Sequence, residues 1–345
     1  MQNNSLDSTQ ICAVSDGRAG NDRQALALAT ALTGGVAPRT VRLRPRLPWR
    51  LVAPRRIAGA AQAYGPEFAA LLATPPAVAV GCGRQAALAT RLLRERGAKA
   101  VQILDPRIDP AHWDVVVVPE HDRLRGANVV SVLGSLHPID DTWLAHARAA
   151  FPDFDRLPRP RTAVLLGGRT RHARFDRMGF EVLASKLEVA IARDGGSVLL
   201  TTSRRTPKEL RDVLAHRYDD TPGTVWRSEK DGPNPYAGLL GWADRIVCSP
   251  DSVNMITEAC ATRAPVFVFD PDRVRGRPRR FLDALLARGR IRAMDGALES
   301  FAVEPLRESA RAAAMVAARL GLPPMTADDG RDGASPSDQA SDQPS

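Results

Sequence analysis

The chain has 345 residues, of which 44% are hydrophobic and 25% are charged. This length exceeds what one hydrophobic core usually serves, and the composition excludes a fibrous or wholly disordered protein. The sequence contains no run of 18 apolar residues and no basic, apolar leader, so we expect neither a membrane-spanning helix nor a signal peptide. The four cysteines form no CxxC pair, which argues against disulfides and favours a reduced, cytoplasmic location.

The formal net charge is +9, and arginine supplies 44 of the 48 basic residues. The charge is unevenly distributed, because the last twenty residues carry five aspartates and one arginine and no aromatic side chain. This composition is typical of disorder. We therefore expect a disordered acidic tail at residues 323–345 and a disordered N-terminus at residues 1–10.

Short β-branched runs alternate with helical stretches in the first half. They predict strands at Ile11–Ser15, Thr40–Leu43, Ala77–Val80, Ala100–Leu104, Val115–Val118 and Val129–Val132. Predicted helices lie at Asp22–Leu32, Arg55–Ala73 and Arg84–Arg96. Strands that alternate with helices form βαβ units, and continuously apolar strands are typical of a parallel sheet covered on both faces.

The second half repeats this alternation. Predicted strands lie at Thr162–Leu166, Ser197–Thr201, Thr224–Trp226, Arg245–Cys248 and Val266–Phe269. Predicted helices lie at Asp176–Arg193, Pro207–His216, Tyr236–Ala243, Ser252–Thr262, Phe281–Ala287 and Val303–Leu320. The sequence therefore predicts an α/β protein of two doubly wound, Rossmann-like domains facing a cleft, at residues 11–150 and 162–322, with a proline-rich linker at 151–161.

The motif SDGRAGN follows the first predicted strand. Gly17 and Gly20 let the backbone turn sharply and approach a ligand, and the next helix offers its free N–H groups. Asp16 lies at the end of the strand, where such sheets bind their ligands, and is a candidate general base. A tight turn capped by Asp22 explains the motif equally well.

The segment PEHD places His121 between two acidic residues after the fifth strand. This histidine is a second candidate for proton transfer, and a hydrogen-bonded structural histidine is the alternative. A metal site needs more ligands than this spacing supplies, so we expect no metal.

The segment GCGRQA (81–86) matches the dinucleotide fingerprint, with Asp105 ending the next strand. The match does not open the domain and has Arg84 within its loop. Close packing of a strand on a helix is the favoured explanation of the glycines, and a dinucleotide-dependent oxidoreductase is an alternative.

Two loops of the second half combine glycines, hydroxyls and arginines directly after strands. Such loops bind phosphate through backbone N–H groups and arginine side chains, although a capped helix with solvated arginines explains the second loop too. The candidate residues are Gly167, Gly168, Arg169, Ser203, Arg204 and Arg205.

The segment CSPDSVNMITEA is the most informative of the motifs. Ser252 is a natural cap for the helix that follows, and the dipole of that helix favours a negative ligand. Glu258 lies under two turns into the helix, where its carboxylate can accept hydrogen bonds from a ribose diol. The candidate ligands here and in the preceding NPY motif are Asp251, Ser252, Val253, Glu258, Asn234 and Tyr236.

Seven arginines and no acidic residue lie between Arg39 and Arg56, interleaved with leucine and tryptophan. A solvated surface loop and contact with an anionic membrane surface are both consistent with this composition. No nucleic-acid motif accompanies the charge, so nucleic acid is not expected as a partner. The candidate membrane patch comprises Arg46, Trp49, Arg50, Arg55 and Arg56.

These motifs together resemble the mitochondrial-fission Elm family over roughly Ile11 to Arg290. The resemblance rests, in this order, on DGRAG with Gln24, GCGRQAALA, LDPR, VVVPEHD, GGRTRH, TTSRRTP, NPY and DSVNMITEACATRAPVFVF. It implies a fold similar to that of GT-B glycosyltransferases and nucleotide-sugar epimerases. Plant members are adaptors that bring a dynamin-related protein to mitochondria.

The second domain is also similar to the lipid-linked N-acetylglucosaminyl transferases of peptidoglycan synthesis. That resemblance implies that Glu258 holds the ribose and that Ser252 and Val253 turn N–H groups toward the diphosphate. It also implies that Ser203 and Arg204 are further diphosphate contacts. The first domain would then bind the acceptor and the second domain the nucleotide sugar.

Two positions depart from the family pattern. Asn21 replaces a histidine of the family motif DGRAGHENQ, which makes Asp16 the better candidate base. The family segment TADSVSM is SPDSVNM here, which keeps Asp251 and Ser252 and preserves the start of the helix.

The function expected from the sequence is that of a metal-independent GT-B glycosyltransferase. Its substrate would be a nucleoside-diphosphate sugar, it would need no cofactor, and its acceptor would lie at the cytoplasmic face of the inner membrane. The alternatives are an epimerase acting on nucleotide sugars on the same fold, and a non-catalytic adaptor that binds a protein partner or a membrane.

Overall fold

The computed structural model describes residues 10–323. The predicted disordered N-terminus and acidic tail lie outside these residues, except for residues 10 and 323. Every strand of the described chain belongs to one of two parallel six-stranded sheets. The predicted α/β fold class, with two Rossmann-like domains facing a cleft, is confirmed.

The first sheet has the strand order β2-β1-β3-β4-β5-β6. Its strands are β1 (Ile11–Ser15), β2 (Arg39–Arg42), β3 (Val78–Cys82), β4 (Lys99–Ile103), β5 (Val115–Pro119) and β6 (Val129–Val132). The helices of this half are α1 (Ala19–Leu32), α2 (Trp49–Val52), α3 (Pro66–Ala73), α4 (Gly83–Arg94) and α5 (Asp141–Ala150). All five residues of β3 and of β5 are buried, as expected for a sheet covered on both faces.

The second sheet has the strand order β12-β11-β10-β7-β8-β9. Its strands are β7 (Arg161–Leu166), β8 (Ser197–Thr202), β9 (Gly223–Trp226), β10 (Arg245–Cys248), β11 (Val266–Val268) and β12 (Ile291–Ala293). The helices of this half are α6 (Arg177–Asp194), α7 (Lys208–Val213), α8 (Tyr236–Trp242), α9 (Val253–Cys260), α10 (Arg277–Ala287) and α11 (Glu308–Leu320).

Two helices belong to the core of the other half, so the predicted domain boundaries need correction. On α5, Leu144 is buried in one cluster with Leu239 of α8, in the second domain. On α11, Val316 is buried with Leu28 of α1, in the first domain. Sequence periodicity shows that a helix has an apolar face but not which core covers that face. The chain therefore crosses between the domains twice.

The predicted helix at Arg55–Ala73 was wrong. Only its last eight residues are α-helical, because Gly65 adopts φ +89° and Pro66 then opens α3. Helix α5 and the three-residue strand β12 were not predicted. Strand β12 has one buried and two exposed residues, so it lacks the apolar run that marks the other strands.

Candidate functional site

A cavity of about 680 Å³ opens between the domains at the carboxyl ends of the strands of the second sheet. It adjoins the switch point of that sheet, where β7 and β10 are neighbours and the chain leaves them in opposite directions. Its volume lies within the range of small-molecule sites. The predicted residues that line it are Gly20, Ser203, Arg204, Arg205, Asn234, Tyr236, Asp251, Ser252 and Val253.

Asp251 organises the floor of this cavity. Its carboxylate is fully buried, and it accepts hydrogen bonds from the backbone N–H of Gly168 at 3.0 Å and from the Ser249 hydroxyl at 2.7 Å. It also pairs with the half-exposed guanidinium of Arg205 at 2.9 Å. A Cβ added to Gly167 would lie 2.2 Å from this carboxylate, so the chain needs a glycine there. Asp251 therefore positions Arg205 and the glycine loop.

The glycine loop itself does not line the cavity. Gly167 and Gly168 are buried beneath it, and Arg169 is exposed elsewhere. The predicted anion nest is thus a support for the neighbouring loop rather than part of the cavity wall.

The loop after β8 presents two arginines to the cavity. The Thr206 hydroxyl accepts a hydrogen bond from the backbone N–H of Ser203 at 2.9 Å and donates to the carbonyl of Leu166 at 3.1 Å. The Ser203 hydroxyl accepts from the backbone N–H of Arg205 at 3.2 Å. These bonds fix a tight turn from which Arg204 and Arg205 extend into the cavity. Thr206 was not among the predicted residues.

Helix α9 begins at the cavity. The Ser252 hydroxyl caps it by accepting from the backbone N–H of Met255 at 3.4 Å, and its first turn contains no acidic residue. Val253 and Asn254, the first two residues of the helix, also line the cavity. The first N–H groups of a helix have no partner within the helix, so this end supplies partial positive charge.

Glu258 is 2% exposed and lies behind the cavity wall, with both carboxylate oxygens occupied. The Tyr236 hydroxyl donates to Oε2 at 2.5 Å, and Oε1 is ion-paired with Arg23 of the first domain. Burial, together with the neighbouring carboxylate, raises the pKa of Tyr236 well above its ordinary value, so this hydroxyl remains a donor. The sequence predicted Glu258 as the ligand at this place, but the residues that line the cavity here are Arg23 and Tyr236.

Sequence reasoning missed Arg23, although a signal was present. Arg23 is the fifth residue of α1, close to the positive end of the helix dipole. A cation there is electrostatically unfavourable unless it has another partner, and Glu258 is that partner.

The domains approach closely at Gly20 of α1. A Cβ at this position would lie 2.7 Å from Nδ2 of Asn254 in the second domain. Gly17, at φ +77°, lies under the guanidinium of Arg42 rather than in the cavity lining.

Asp16 lies beside the cavity and is held by its own loop. Its side chain is 8% exposed and accepts hydrogen bonds from the Asn21 amide at 3.0 Å and from the backbone N–H of Arg18 at 3.3 Å. Asn21 thus orients the predicted base.

His121 lies at a different cavity, together with Asp105 of the fingerprint motif. Its carbonyl accepts two hydrogen bonds from Arg280 of the second domain, at 3.1 and 2.7 Å. The two predicted catalytic residues therefore do not share one cavity. Gly81 of the fingerprint is buried in β3, and a Cβ there would lie 2.6 Å from Thr90 of α4, which supports the packing explanation.

Comparison with known proteins identifies the family. The family model described as mitochondrial fission ELM1 matches residues 19–320. The chain belongs to the mitochondrial fission ELM1 family. The predicted resemblance is thereby confirmed.

Two curated relatives resemble this ELM1-family protein along most of its length. Mitochondrial fission protein ELM1 of Arabidopsis thaliana is 31% identical over 71% of this chain and 64% of its own length. The chain thus spans less than two thirds of the plant protein. An uncharacterized protein of Rickettsia prowazekii is 23% identical over 89% of this chain and 97% of its own.

A solved structure shares the fold. The UDP-GlcNAc 2-epimerase from Methanocaldococcus jannaschii aligns with 89% of this chain and 98% of its own, at 11% identity and a TM-score of 0.52. The ELM1-family protein accordingly has the two-domain GT-B fold, as the sequence predicted.

The arginine-rich segment of this ELM1-family protein differs in one respect from the predicted membrane patch. Trp49 is half-buried against the first-domain core, and its indole N–H donates to the carbonyl of Ala58 at 3.0 Å. The exposed apolar side chains are instead Leu47 (64% exposed), Leu51 (66%) and Ile57 (37%). They share the segment with exposed Arg46, Arg50, Arg55 and Arg56.

Residues 10–323 contain neither a cluster of metal ligands nor a membrane-spanning helix. No three His, Cys, Asp or Glu side chains of these residues lie close enough together to hold a metal ion. No helix in the same range is long and apolar enough to cross a membrane.

Proposed function

We propose that this ELM1-family protein binds a nucleoside-diphosphate sugar in the 680 Å³ cavity and transfers the sugar to an acceptor. The observation that carries the proposal is the convergence of positive charge on one side of the cavity. Arg204, Arg205 and the free N–H groups that open α9 all line it. A diphosphate matches this arrangement, since arginine side chains and helix N-termini both favour phosphate.

The nucleotide would lie along the second domain. Its diphosphate would bind between Arg205 and the backbone N–H groups of Val253 and Asn254, with Ser203 and Arg204 beside it. Its ribose would bind next to Tyr236 and would reach Glu258 once Arg23 moves away from that carboxylate. Arg23 is 45% exposed at its side chain and so has room to move.

The chemistry needs one bond exchange. The bond between the anomeric carbon of the sugar and the diphosphate oxygen breaks, and a bond forms between that carbon and an acceptor oxygen. The proton of the acceptor hydroxyl passes to the Asp16 carboxylate. The negative charge that develops on the leaving diphosphate is stabilised by Arg204, Arg205 and the N-terminus of α9.

We also propose that the acceptor lies at the cytoplasmic face of the inner membrane. The support is the surface formed by Leu47, Leu51 and Ile57 among exposed arginines, which has the composition of an interfacial anchor. Anionic lipid headgroups would contact the arginines, and the apolar side chains would enter the boundary of the acyl region.

One observation favours a binding protein without catalysis as the second candidate. Asp16 and Glu258 both have their carboxylates satisfied by protein partners. An adaptor that binds a partner through its surface would need neither carboxylate free.

The test is an activity assay with UDP-, GDP- and TDP-sugars in the presence of membrane extract. We expect release of one nucleoside diphosphate that depends on the extract and falls at least about a hundredfold in Asp16→Asn, as for loss of a general base. Asp212→Asn, an exposed carboxylate on α7, is the matched control. Binding without release would support the adaptor, and a change of sugar without release would support an epimerase.

A further inference from the structure

A second cavity, of about 610 Å³, lies between the domains at the carboxyl ends of β3, β4 and β5. Most of its lining comes from the first domain, and His172, Arg277 and Pro278 complete it from the second. None of its lining residues also lines the 680 Å³ cavity. The cleft therefore contains two separate sites.

Asn21, the hydrogen-bond partner of Asp16, lies at the boundary between these two cavities. Gly20 lines the first cavity and Gly83 lines the second. Asn21 follows Gly20 in the chain, and a Cβ on Gly83 would lie 2.5 Å from the Asn21 amide nitrogen. Because that amide donates to Asp16 at 3.0 Å, the carboxylate lies next to this boundary, although it lines neither cavity.

One wall of the second cavity is apolar and continues to the protein surface. Leu51, Val52 and Pro54 line one side of the cavity. Leu104 and Ile108, which belong to the loop after β4, also line it. Leu51 is 66% exposed, so this wall runs directly into the surface formed by Leu47, Leu51 and Ile57. A long apolar chain can therefore pass from that surface into the cavity.

The other wall carries an excess of positive charge. Four arginines and two aspartates line the cavity. Nε of Arg107 lies 3.5 Å from a carboxylate oxygen of Asp105, and Nη1 of Arg277 lies 2.9 Å from a carboxylate oxygen of Asp122. Each of these ion pairs therefore has no net charge.

The two remaining arginines, Arg55 and Arg84, have no carboxylate partner among residues 10–323. Arg84 donates to the carbonyls of Arg50 at 3.1 Å and Leu51 at 3.2 Å, which fixes its guanidinium at the rim. Two unneutralised arginines beside an apolar wall match an anionic group attached to an apolar chain.

His121 supplies a polar group within the same cavity. Its ring packs edge-on against that of Phe281, with the two ring centroids 5.7 Å apart. Its buried Nδ1 has no hydrogen-bond partner in the described chain. Burial lowers the pKa of His121, and the arginines at 277 and 280 lower it further against the opposing effect of Asp122. The imidazole is therefore neutral at neutral pH and can bond a hydroxyl of the bound molecule.

We propose that the second cavity is the acceptor site and that it binds an amphipathic phosphate that also carries the hydroxyl to which the sugar is transferred. The apolar chain lies along Leu51, Val52 and Pro54, and the phosphate is held by Arg55 and Arg84. The inference rests on the proposed function, because it names the class of molecule that receives the sugar. A phosphate ester with a long apolar chain also accounts for the continuity between the cavity and the exposed apolar surface.

The test is calorimetric titration of the full chain with dodecyl phosphate below its critical micelle concentration. Two further probes are titrated separately. Inorganic phosphate has the anionic group without the apolar chain, and dodecyl maltoside has the apolar chain without the anionic group. The variants are Arg55→Gln, Arg84→Gln and their double variant. The control is Arg174→Gln with Arg273→Gln, which removes two exposed arginines from a neighbouring basic cavity of the second domain that shares only His172 with the second cavity.

We expect dodecyl phosphate to bind at one site, at least about tenfold more tightly than either half-probe. Each arginine substitution in the second cavity should weaken binding about tenfold, as for loss of a charged hydrogen-bond partner. Arg55 is exposed and its side chain makes no hydrogen bond within residues 10–323, so Arg55→Gln should leave the fold intact. The control variant should bind like the wild type.

Three results would overturn the proposal: unchanged binding by the double variant, displacement of dodecyl phosphate by nucleoside diphosphate, or equal binding of inorganic phosphate. Failure of the proposed function is distinguishable from these results. Suppose that no nucleoside diphosphate binds the wild type but dodecyl phosphate binds through Arg55 and Arg84. The proposed transferase function is then wrong, and the proposed binding site for an amphipathic phosphate is supported.

Discussion

Arg23 of the first domain and Glu258 of the second form an ion pair across the cleft, and the carboxylate of this pair is 2% exposed. The second oxygen of Glu258 accepts from Tyr236 at 2.5 Å. The pair joins α1 to α9 at the wall of the 680 Å³ cavity, so it ties the two domains together at that wall.

This relationship predicts an energetic coupling between the two residues. In a double-mutant cycle with Arg23→Met and Glu258→Gln, we expect a coupling energy of about 1–2 kcal/mol. This is less than for a fully buried pair, because the Arg23 side chain is 45% exposed and partly screened by water. Urea unfolding measures it, with exposed Arg96→Met as control. A coupling energy near zero would show that the ion pair does not hold the domains together.

Asp251 allows a prediction in which the removal of a negative charge weakens the binding of a negatively charged ligand. If this carboxylate positions Arg205, then Asp251→Asn should weaken nucleoside-diphosphate binding about tenfold, although it removes a negative charge from the cavity. Arg205→Gln should have the same effect, and the double variant should be no weaker than either single variant. Calorimetric titration measures the affinities. Tighter binding by Asp251→Asn would mean that this carboxylate only repels the ligand.

Arg290 stabilises the end of α9. It is 5% exposed and donates to the backbone carbonyls of Cys260 at 3.0 Å and Thr262 at 2.8 Å. Arg290→Met leaves the Thr262 carbonyl without this donor in the core, while the Cys260 carbonyl keeps the backbone N–H of Leu306, and should lower the free energy of unfolding by about 2–4 kcal/mol. Chemical denaturation measures the loss, and exposed Arg96→Met should cost less than about 0.5 kcal/mol. Equal losses in the two variants would contradict this role.

His137 predicts a pH dependence of stability. It is 2% exposed, and burial lowers its pKa from 6.5 to about 4. The unfolded chain therefore takes up a proton between pH 6.5 and pH 4 while the folded chain does not, so stability falls as the pH falls through this window. The full loss is about 3 kcal/mol. His137→Gln should flatten the pH profile of unfolding between these values, whereas exposed His146→Gln should leave it unchanged. A profile that His137→Gln does not alter would refute the assignment.

The sequence predicted the sheets well because their strands are marked locally. The run Val115–Val118 is apolar on both faces, and the observed strand begins at the same residue and extends by one. Strand β12 has no such run, and α5 has only two buried residues, so neither carried a local signal strong enough to be predicted. The core to which α5 and α11 belong is decided by packing between halves of the chain that are distant in sequence.

The candidate site was predictable only in part, for the same reason. Ser203, Ser252 and Val253 follow strands directly, so their place at the cavity could be inferred from strand ends. The Arg23–Glu258 pair joins residues 235 positions apart; the place of Arg23 near the start of α1 indicates that it needs a partner, but no local pattern identifies Glu258 as that partner. The separation of Asp16 from His121 likewise depends on how the domains close on each other.

The most direct test of the central claim is a thermal-unfolding panel with UDP, GDP, ADP, TDP and CMP. It compares the wild type with the double variant Arg204→Gln and Arg205→Gln, and with the control double variant Arg171→Gln and Arg174→Gln. The account predicts that one nucleotide, at 100 times its dissociation constant, stabilises the wild type and the control by about 2.7 kcal/mol. The Arg204 and Arg205 variant should lose this stabilisation. Folded wild-type protein that responds to none of the five nucleotides, or a response that survives in that variant, would contradict the claim that this cavity binds a nucleotide.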